Sequence, residues 1–379
     1  MIPSMTEMNI KISELSTPCF LVDIDKVKEN CQHMIDTCKK LNLQLRPHTK
    51  THKTIEGAIL QTDGAKRCIA VSTLAEAEFY ADNGFDDILL AYPITKDKIK
   101  RCLNLVAKLE TFHVMVSGME GLKCLEDNIQ NLPDGKIWSL VLEVDAGYGR
   151  TGFSYDGEEL IDAALRVKNS QRMRLEKLYL HCGDSYRLKT ISEKQESQKT
   201  NINTLTALEK VLAEKGITCT SGVGSTPNCS LPVQENSQLT EFHPGNYIFY
   251  DYMQYLFGSC RESNIACKVM TRVIAHKPEK NLFLVDCGFL ALGHDGKNER
   301  FPLDFCLIQG ESNLRFVDMS QEIGKITAKE GDLNFSLYPI GTIFYLLPYH
   351  SCCTSALHSV YYVHSGDEVV ATWKPVRGW

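Results

Sequence analysis

A change of rhythm near residue 266 constrains this chain more than any other feature. Before it, short apolar runs at 43–47, 68–71, 87–91, 112–116, 139–144, 175–180 and 218–222 alternate with amphipathic stretches such as 74–83 and 205–215. A weaker eighth run lies at 239–242, and Cys19–Asp23 is a strand candidate ahead of them all, with Asp25 placed to cap a helix to about Lys40. Parallel strands need helical crossovers of this kind, so the pattern predicts an α/β fold, a (β/α)8 TIM-like barrel over residues 17–265. An open doubly wound sheet is the alternative reading of the same alternation. After residue 266 the runs at 268–275, 281–289, 314–319, 336–347 and 360–373 alternate with period two or are rich in β-branched and aromatic residues. They predict a mostly antiparallel β domain over 266–379, with residues 1–16 joining it.

Composition narrows the class of protein. The chain has 379 residues, enough for two domains, and 43% hydrophobic with 23% charged residues is ordinary for a globular protein. A net charge of −6 gives no general attraction for nucleic acid or an acidic membrane. No run of about 18 apolar residues suggests a membrane span. Residues 1–15 are polar where a signal peptide would need an apolar core. The 15 cysteines are scattered, with no CxxC pair, and read as reduced thiols of a cytoplasmic protein.

The most reactive stretch is Arg46-Pro47-His48-Thr49-Lys50-Thr51-His52-Lys53. Alternation along a strand puts Arg46, His48 and Lys50 on one face, and three bases on a buried face call for a ligand to receive them. A lysine at a strand end among other cations loses its proton more readily and serves as an amine nucleophile, which is Schiff-base chemistry. A solvated basic edge strand is the bland alternative. Lys53 falls at a helix start, off the Lys50 face, and is the weaker candidate. His48 and His52 receive no role beyond hydrogen bonding at the barrel mouth.

Barrel enzymes carry their reactive groups at the C-terminal strand ends. Here those ends are polar or glycine-rich: Asp145-Ala146-Gly147-Tyr148-Gly149-Arg150, Tyr179-Leu180-His181-Cys182-Gly183, Gly222-Val223-Gly224-Ser225-Thr226-Pro227 and His243-Pro244-Gly245-Asn246. The last two turns offer backbone N–H groups and hydroxyls suited to a dianionic phosphate, or are simply tight turns. Neither is a Walker loop or a GxGxxG fingerprint. A phosphate cradle and an activated lysine on one barrel together suggest pyridoxal phosphate. Arg150 reads either as a surface salt bridge or as a contact behind the cofactor. In the β domain, alternation puts His350 and Cys352 of Pro348-Tyr349-His350-Ser351-Cys352-Cys353 on one face, a nitrogen and sulfur pair that suits zinc. A buried cysteine beside a hydrogen-bonded histidine is the competing reading. Cys353 and His358 are further candidates without a special spacing.

Taken in order, TPCFLVD at 17–23, RPHTKTHK at 46–53, EVDAGYGRTG at 143–152, YLHCG at 179–183, SGVGSTP at 221–227, EFHPGNYIFYD at 241–251, VDCG at 285–288 and PYHSC at 348–352 resemble one family. It is the D-threonine aldolase and eukaryotic D-serine dehydratase group of fold-type III pyridoxal phosphate enzymes, with the animal-type branch the nearest. The resemblance implies an alanine-racemase-like barrel plus a β domain, paired as a homodimer. It makes Lys50 the lysine bonded to the cofactor aldehyde, with Tyr179, Tyr186, Thr226, Gly245 and Asn246 contacting the cofactor and His350 with Cys352 holding Zn2+. The implied reaction is conversion of a small D-amino acid, D-serine, to pyruvate and ammonia, by Cα deprotonation and metal-assisted loss of the β-hydroxyl. Ile323 stands where aldolase relatives tend to have histidine, which leans away from retro-aldol cleavage. D-threonine aldolase, D-threo-3-hydroxyaspartate dehydratase and a non-catalytic cofactor carrier are the rival readings.

Overall fold

The computed structural model describes residues 10–233, 239–296 and 304–379. Its contacts divide into two units, one of Gln32–Tyr247 with Val376–Trp379, the other of Ile248–Pro375 with the chain up to Cys31. Strand β1 (Cys19–Asp23) belongs to the second unit, antiparallel to residues 267–270 and parallel to residues 361–364. The sequence reading draws the barrel from residue 17 and the β domain from 266. A short apolar run buried on both faces reads the same in either kind of sheet. Helix α1 (Ile24–Lys40) follows. Asp23 caps it, Oδ1 accepting from the N–H groups of Asp25 (3.1 Å) and Lys26 (3.2 Å). The helix begins two residues earlier than expected, and Asp25 instead sits in its first turn.

The barrel is laid down as β2 (Gln44–Leu45), β3 (Ile69–Val71), β4 (Asp87–Leu90), β5 (Thr111–Val116), β6 (Trp138–Asp145), β7 (Phe153–Ser154), β8 (Met173–His181), β9 (Thr220–Gly224) and β10 (Glu241–Phe242). Eight of these run parallel in the order β2-β10-β9-β8-β6-β5-β4-β3, while β7 only extends the end of β6. A parallel bridge from His48 to Ala70 joins the two ends of that order, with Ala70 N–H donating to Pro47 O at 2.9 Å. The crossovers are α2 (Ile55–Gln61), α3 (Leu74–Asp82), α4 (Ile99–Lys108), α5 (Met119–Glu126), α6 (Glu158–Lys168), α7 (Ile191–Glu214) and α8 (Thr226–Ser230). Local chemistry starts them: Thr54 caps α2, Thr73 caps α3, and Thr190 with Glu193 forms a capping box on α7. Helix α4 buries Ile99, Cys102, Leu105 and Val106, one face of a 3.6-residue repeat. Helix α7 begins well before the amphipathic stretch 205–215, because the face it buries first is polar, Lys194, Gln198 and Asn201, and shows no apolar repeat. Among the described residues no helix is long and apolar enough to cross a membrane.

Side chains two apart along a strand share a face, so the barrel interior is layered. A lower layer holds Arg46, Asp87, His113, Ser139, Lys177 and Glu241, joined by hydrogen bonds and ion pairs. Two residues further along, Ala70, Leu89, Met115, Val141 and Tyr179 form an apolar cluster. Two further again, Ser117, Glu143 and His181 reach the C-terminal mouth.

The second unit is a sheet of β1 with β11 (Cys267–Lys277), β12 (Leu282–Val285), β13 (Cys306–Ile308), β14 (Leu314–Met319), β15 (Gly324–Ala328), β16 (Ile343–Pro348), β17 (Tyr361–Ser365) and β18 (Glu368–Trp373). The path is β14-β15-β12-β11-β1-β17-β18, with β16 on β11 and β13 on β16. Every described pairing is antiparallel except β1 with β17. Of residues 1–16, those from Ile10 onward attach here: Val369 N–H donates to Ile10 O and Ile12 N–H to Asp367 O. Residues 1–9 lie outside the described part. Ile12, Leu15, Cys19, Leu21, Met270 and Val369 make one core cluster of this unit. The run 336–347 yields a strand only from Ile343, since Pro339 and Gly341 interrupt its start.

Candidate active site

The inward row Arg46, His48, Lys50 meets three different environments. Arg46 is neutralised inside the protein: Nη1 lies 2.7 Å from Asp87 Oδ1 and Nε 3.1 Å from Glu241 Oε2. Lys177 Nζ sits 2.5 Å from the same Glu241 oxygen. Two carboxylates therefore balance two permanent cations in the lower layer, and the expectation that all three bases face a ligand fails at Arg46. Burial works against the charge on Glu241, yet Arg46 and Lys177 overcome it and hold the carboxyl down to about 2.

Lys50 is the exposed member, carried by the single 3-10 turn Thr49–Thr51. Its backbone N–H donates to His48 Nδ1 at 3.4 Å, and His48 Nε2 lies 3.4 Å from Ser72 Oγ. His48 and His181 both stay neutral. Burial pushes them well below the usual histidine range, and the positive charges of Lys50 and Arg150 add to it. Lys53 turns away with φ of 55° and pairs with the buried Glu76, Nζ to Oε1 at 2.9 Å. His52 is wedged between Thr54 Oγ1 (3.0 Å) and Gln61 Oε1 (2.9 Å), and burial lowers it to about 4. It packs flush on Gly57, where a Cβ would fall 2.4 Å from Nδ1. That histidine is structural.

The predicted cofactor contacts gather on adjacent strand ends. Tyr179 is on β8, Tyr186 on the 3-10 turn Gly183–Tyr186 after it, Thr226 at the start of α8 after β9, and Gly245 and Asn246 after β10. β10 is paired with both β9 and β2, so Lys50 follows the next strand along. Ser185 Oγ and Ser225 Oγ lie 3.0 Å apart and tie two of these turns together. A Cβ on Gly245 would meet His48 O at 2.7 Å, so only glycine lets that turn come so close. Glycine turns, hydroxyls and a mouth carrying Lys50 and Arg150 fit an aldehyde-bearing dianionic phosphate such as pyridoxal phosphate.

Loop 145–152 is shaped by Asp145, which accepts from the N–H groups of Gly147 and Gly149 at 3.0 Å. Its Tyr148 ring lies on Gly183, where a Cβ would fall 2.3 Å from Cε1, and the Arg187 guanidinium sits 4.6 Å above that ring. Arg150 is a salt-bridge residue after all, but its partner is the buried Glu143, Nη2 to Oε1 at 3.1 Å. Thr151 Oγ1 (3.0 Å) and Ser117 Oγ (2.6 Å) complete that carboxylate.

His350 and Cys352 lie in the other unit. They are not on a strand, since β16 ends at Pro348 and a short helix, Ser351–Ala356, begins with His350 as its N-cap. The buried Asp251 seats this turn, Oδ2 accepting from Ser351 N–H at 2.9 Å and Ser351 Oγ at 3.1 Å. A helix start, not strand alternation, brings the two side chains side by side. His350 Nδ1 lies 2.6 Å from Asp295 Oδ2, a residue that no sequence spacing singled out. Carboxylate, imidazole and thiol in that order suit a zinc ligand pair with its orienting partner. Among the described residues no group of three or more His, Cys, Asp or Glu gathers to hold a metal. His358 is occupied elsewhere, Nε2 to Ala291 O at 2.8 Å.

An eight-stranded parallel barrel with a lysine just after its first strand, followed by a mainly antiparallel sheet, defines the alanine-racemase-like class. The family model "Alanine racemase, N-terminal domain" matches residues 22–253, and the serine dehydratase domain model matches residues 266–364. The chain is 35% identical to the D-serine dehydratase of Dictyostelium discoideum, over 99% of this chain and 100% of that protein. Among solved structures, an alanine racemase-like protein from Idiomarina loihiensis superposes with a TM-score of 0.89 at 31% identity, covering 97% of this chain and 99% of the other. D-threo-3-hydroxyaspartate dehydratase from Delftia sp. HT23 gives a TM-score of 0.88 at 27% identity, covering 97% and 100%. A cysteine-to-alanine mutant of that dehydratase is described in a metal-free form (TM-score 0.88, 26% identity, 98% and 100% covered). The chain belongs to the D-serine dehydratase family.

Proposed function

We propose that the protein is a lyase, a D-serine dehydratase using pyridoxal phosphate and zinc to convert D-serine to pyruvate and ammonia. The carrying observation is the contrast between the two lysines: Lys50 is exposed at the mouth beside two neutral histidines, whereas Lys53 is held by Glu76. Lys50 would hold the cofactor aldehyde, and Tyr179, Tyr186, Thr226, Gly245 and Asn246 would hold its ring and phosphate. When bound, the cofactor supplies an electron sink for charge developing at Cα. Lys50 Nζ takes the Cα proton. Neutral His48 and His181 accept hydrogen bonds there without adding charge, and the balanced ion set below keeps Arg46 and Lys177 from competing for the phosphate. His350 and Cys352 would hold zinc, oriented by Asp295, and zinc would supply the Lewis acidity that loss of hydroxide needs. The metal-free cysteine mutant of the Delftia enzyme supports a metal at a cysteine.

A reducing, cytoplasmic setting is supported by fifteen free thiols, ten of them buried. The resemblance supports a homodimer. A second reading, D-threo-3-hydroxyaspartate dehydratase, is favoured by one observation: Arg187 at the mouth is an exposed cation with no acidic partner among the described residues. A substrate with a second carboxylate needs such a cation.

The test incubates protein loaded with pyridoxal phosphate and zinc with D-serine, L-serine, D-threonine and D-threo-3-hydroxyaspartate, and measures keto acid. Pyruvate from D-serine but not L-serine, and 2-oxobutanoate from D-threonine, are expected. Acetaldehyde and glycine from D-threonine would make it an aldolase, and inertness toward D-serine with and without zinc would overturn the assignment.

A further inference from the structure

The two glycines of the GVG turn also make room for a buried side chain. Gly222 and Gly224 face His243: a Cβ on Gly224 would fall 2.0 Å from His243 Cδ2, and one on Gly222 would fall 3.2 Å from Cε1. Two glycines of β9 thus open the gap in which this fully buried imidazole lies. From there His243 stacks on Tyr179, ring centroids 3.8 Å apart and planes within 13°. One ring edge is anchored, Nε2 lying 3.4 Å from Leu180 O, while Nδ1 lies 3.9 Å from Glu241 Oε1, beyond hydrogen-bond distance. Neither Nδ1 nor that carboxylate oxygen has a hydrogen-bond partner, although both are buried. A residue present only to fill volume would be apolar, since unsatisfied buried polar atoms cost stability.

We propose that His243 is a positioning residue, a platform anchored at one edge by Leu180 O and seated against Gly222 and Gly224, that fixes the plane of the Tyr179 ring for contact with the cofactor. The inference rests on the pyridoxal phosphate reading above. Burial keeps the imidazole neutral, down at about 3, so it places no charge beneath the phenol. The Tyr179 ring belongs to the apolar layer, while its hydroxyl makes no hydrogen bond to another described residue, which leaves it for a ligand.

A double-mutant cycle tests this, reading cofactor affinity by absorbance titration of the apoprotein and the induced circular dichroism of the bound cofactor. His243→Phe keeps a flat ring but loses the anchor on Leu180 O. It should weaken cofactor binding about 5–10-fold and shrink the dichroic band. In a Tyr179→Phe background, where the hydroxyl being positioned is gone, the same change should alter affinity less than about twofold. Equal losses in both backgrounds would overturn the proposal and leave His243 a packing residue. Should His243→Phe not fold, His243→Asn enters the same cycle with the same criterion. A wild-type protein that takes up no pyridoxal phosphate would overturn the cofactor reading, and the proposal with it; uptake with additive losses overturns the proposal alone.

Discussion

Lys53 Nζ and Glu76 Oε1 lie 2.9 Å apart, and the carboxylate of that pair is only 1% exposed. The pairing sets Lys53 apart from Lys50, three positions away in the same basic motif, as the one held by a buried carboxylate. Glu76 also accepts from Ser72 N–H and Thr73 Oγ1, so it is fixed whether or not a cofactor is bound.

The two lysines should therefore fail differently. Lys50→Ala should fold with an unchanged melting temperature but lose the visible absorbance of lysine-bound pyridoxal phosphate and all turnover. Lys53→Met leaves the Glu76 charge buried, and removing one partner of a buried pair costs about 3 kcal/mol, somewhat less here because Lys53 is 20% exposed. Urea unfolding should show that loss while the absorbance persists. Absorbance retained in Lys50→Ala and lost in Lys53→Met would reverse the roles.

The barrel was legible because its signal is periodic and repeated, so single strand errors did not matter. The closing bridge at His48 and Ala70 was not, since the strand it completes, β2, is only two residues long. Strand β1 was misplaced because a buried apolar run carries no mark of its neighbours. Lys50, the glycine turns and the His350–Cys352 pair stood out as local motifs. What stayed hidden was long-range: Asp295 on His350, Glu143 on Arg150, and above all Glu241 on Arg46, whose partner is 195 residues away. The packing role of Gly222 and Gly224 also stayed hidden, because no sequence pattern shows that a ring from just after β10 lies against them.

Acid should unfold the cofactor-free protein from an unusually high pH. His48, His52, His181 and His243 are all held below the ordinary value of 6.5. Once unfolded, each takes up a proton below about 6.5, so the unfolded state binds more protons and stability falls as pH drops. Their contribution is complete above about 6.5 and is lost on the way down, toward about 4 for His52 and about 3 for His243. Glu241 acts with the same sign lower, between its ordinary 4.5 and about 2. Each group contributes a slope of about 1.4 kcal/mol per pH unit inside its window. Urea midpoints should be flat above pH 7 and fall steeply between about pH 6 and 4; a flat profile over that range would mean that the histidines are already charged in the fold.

Metal binding offers the last separation, because the pair of donors and their orienting group can be removed independently. Asp295 lies 2.6 Å from His350 Nδ1, and Asp251 fixes the turn from the far side through Ser351. Groups that orient a ligating histidine typically account for 10–100-fold in metal affinity. Asp295→Asn should therefore weaken zinc binding by about that factor in a competition titration with a chromogenic chelator, with Cys352→Ser weakening it further. Chelation of the wild-type protein should end turnover yet leave the visible absorbance of the cofactor intact, since in the proposed arrangement Lys50 would hold the cofactor and His350 with Cys352 the metal. Unchanged zinc affinity in both variants would remove the metal from this turn, and full activity after exhaustive chelation would remove it from the reaction.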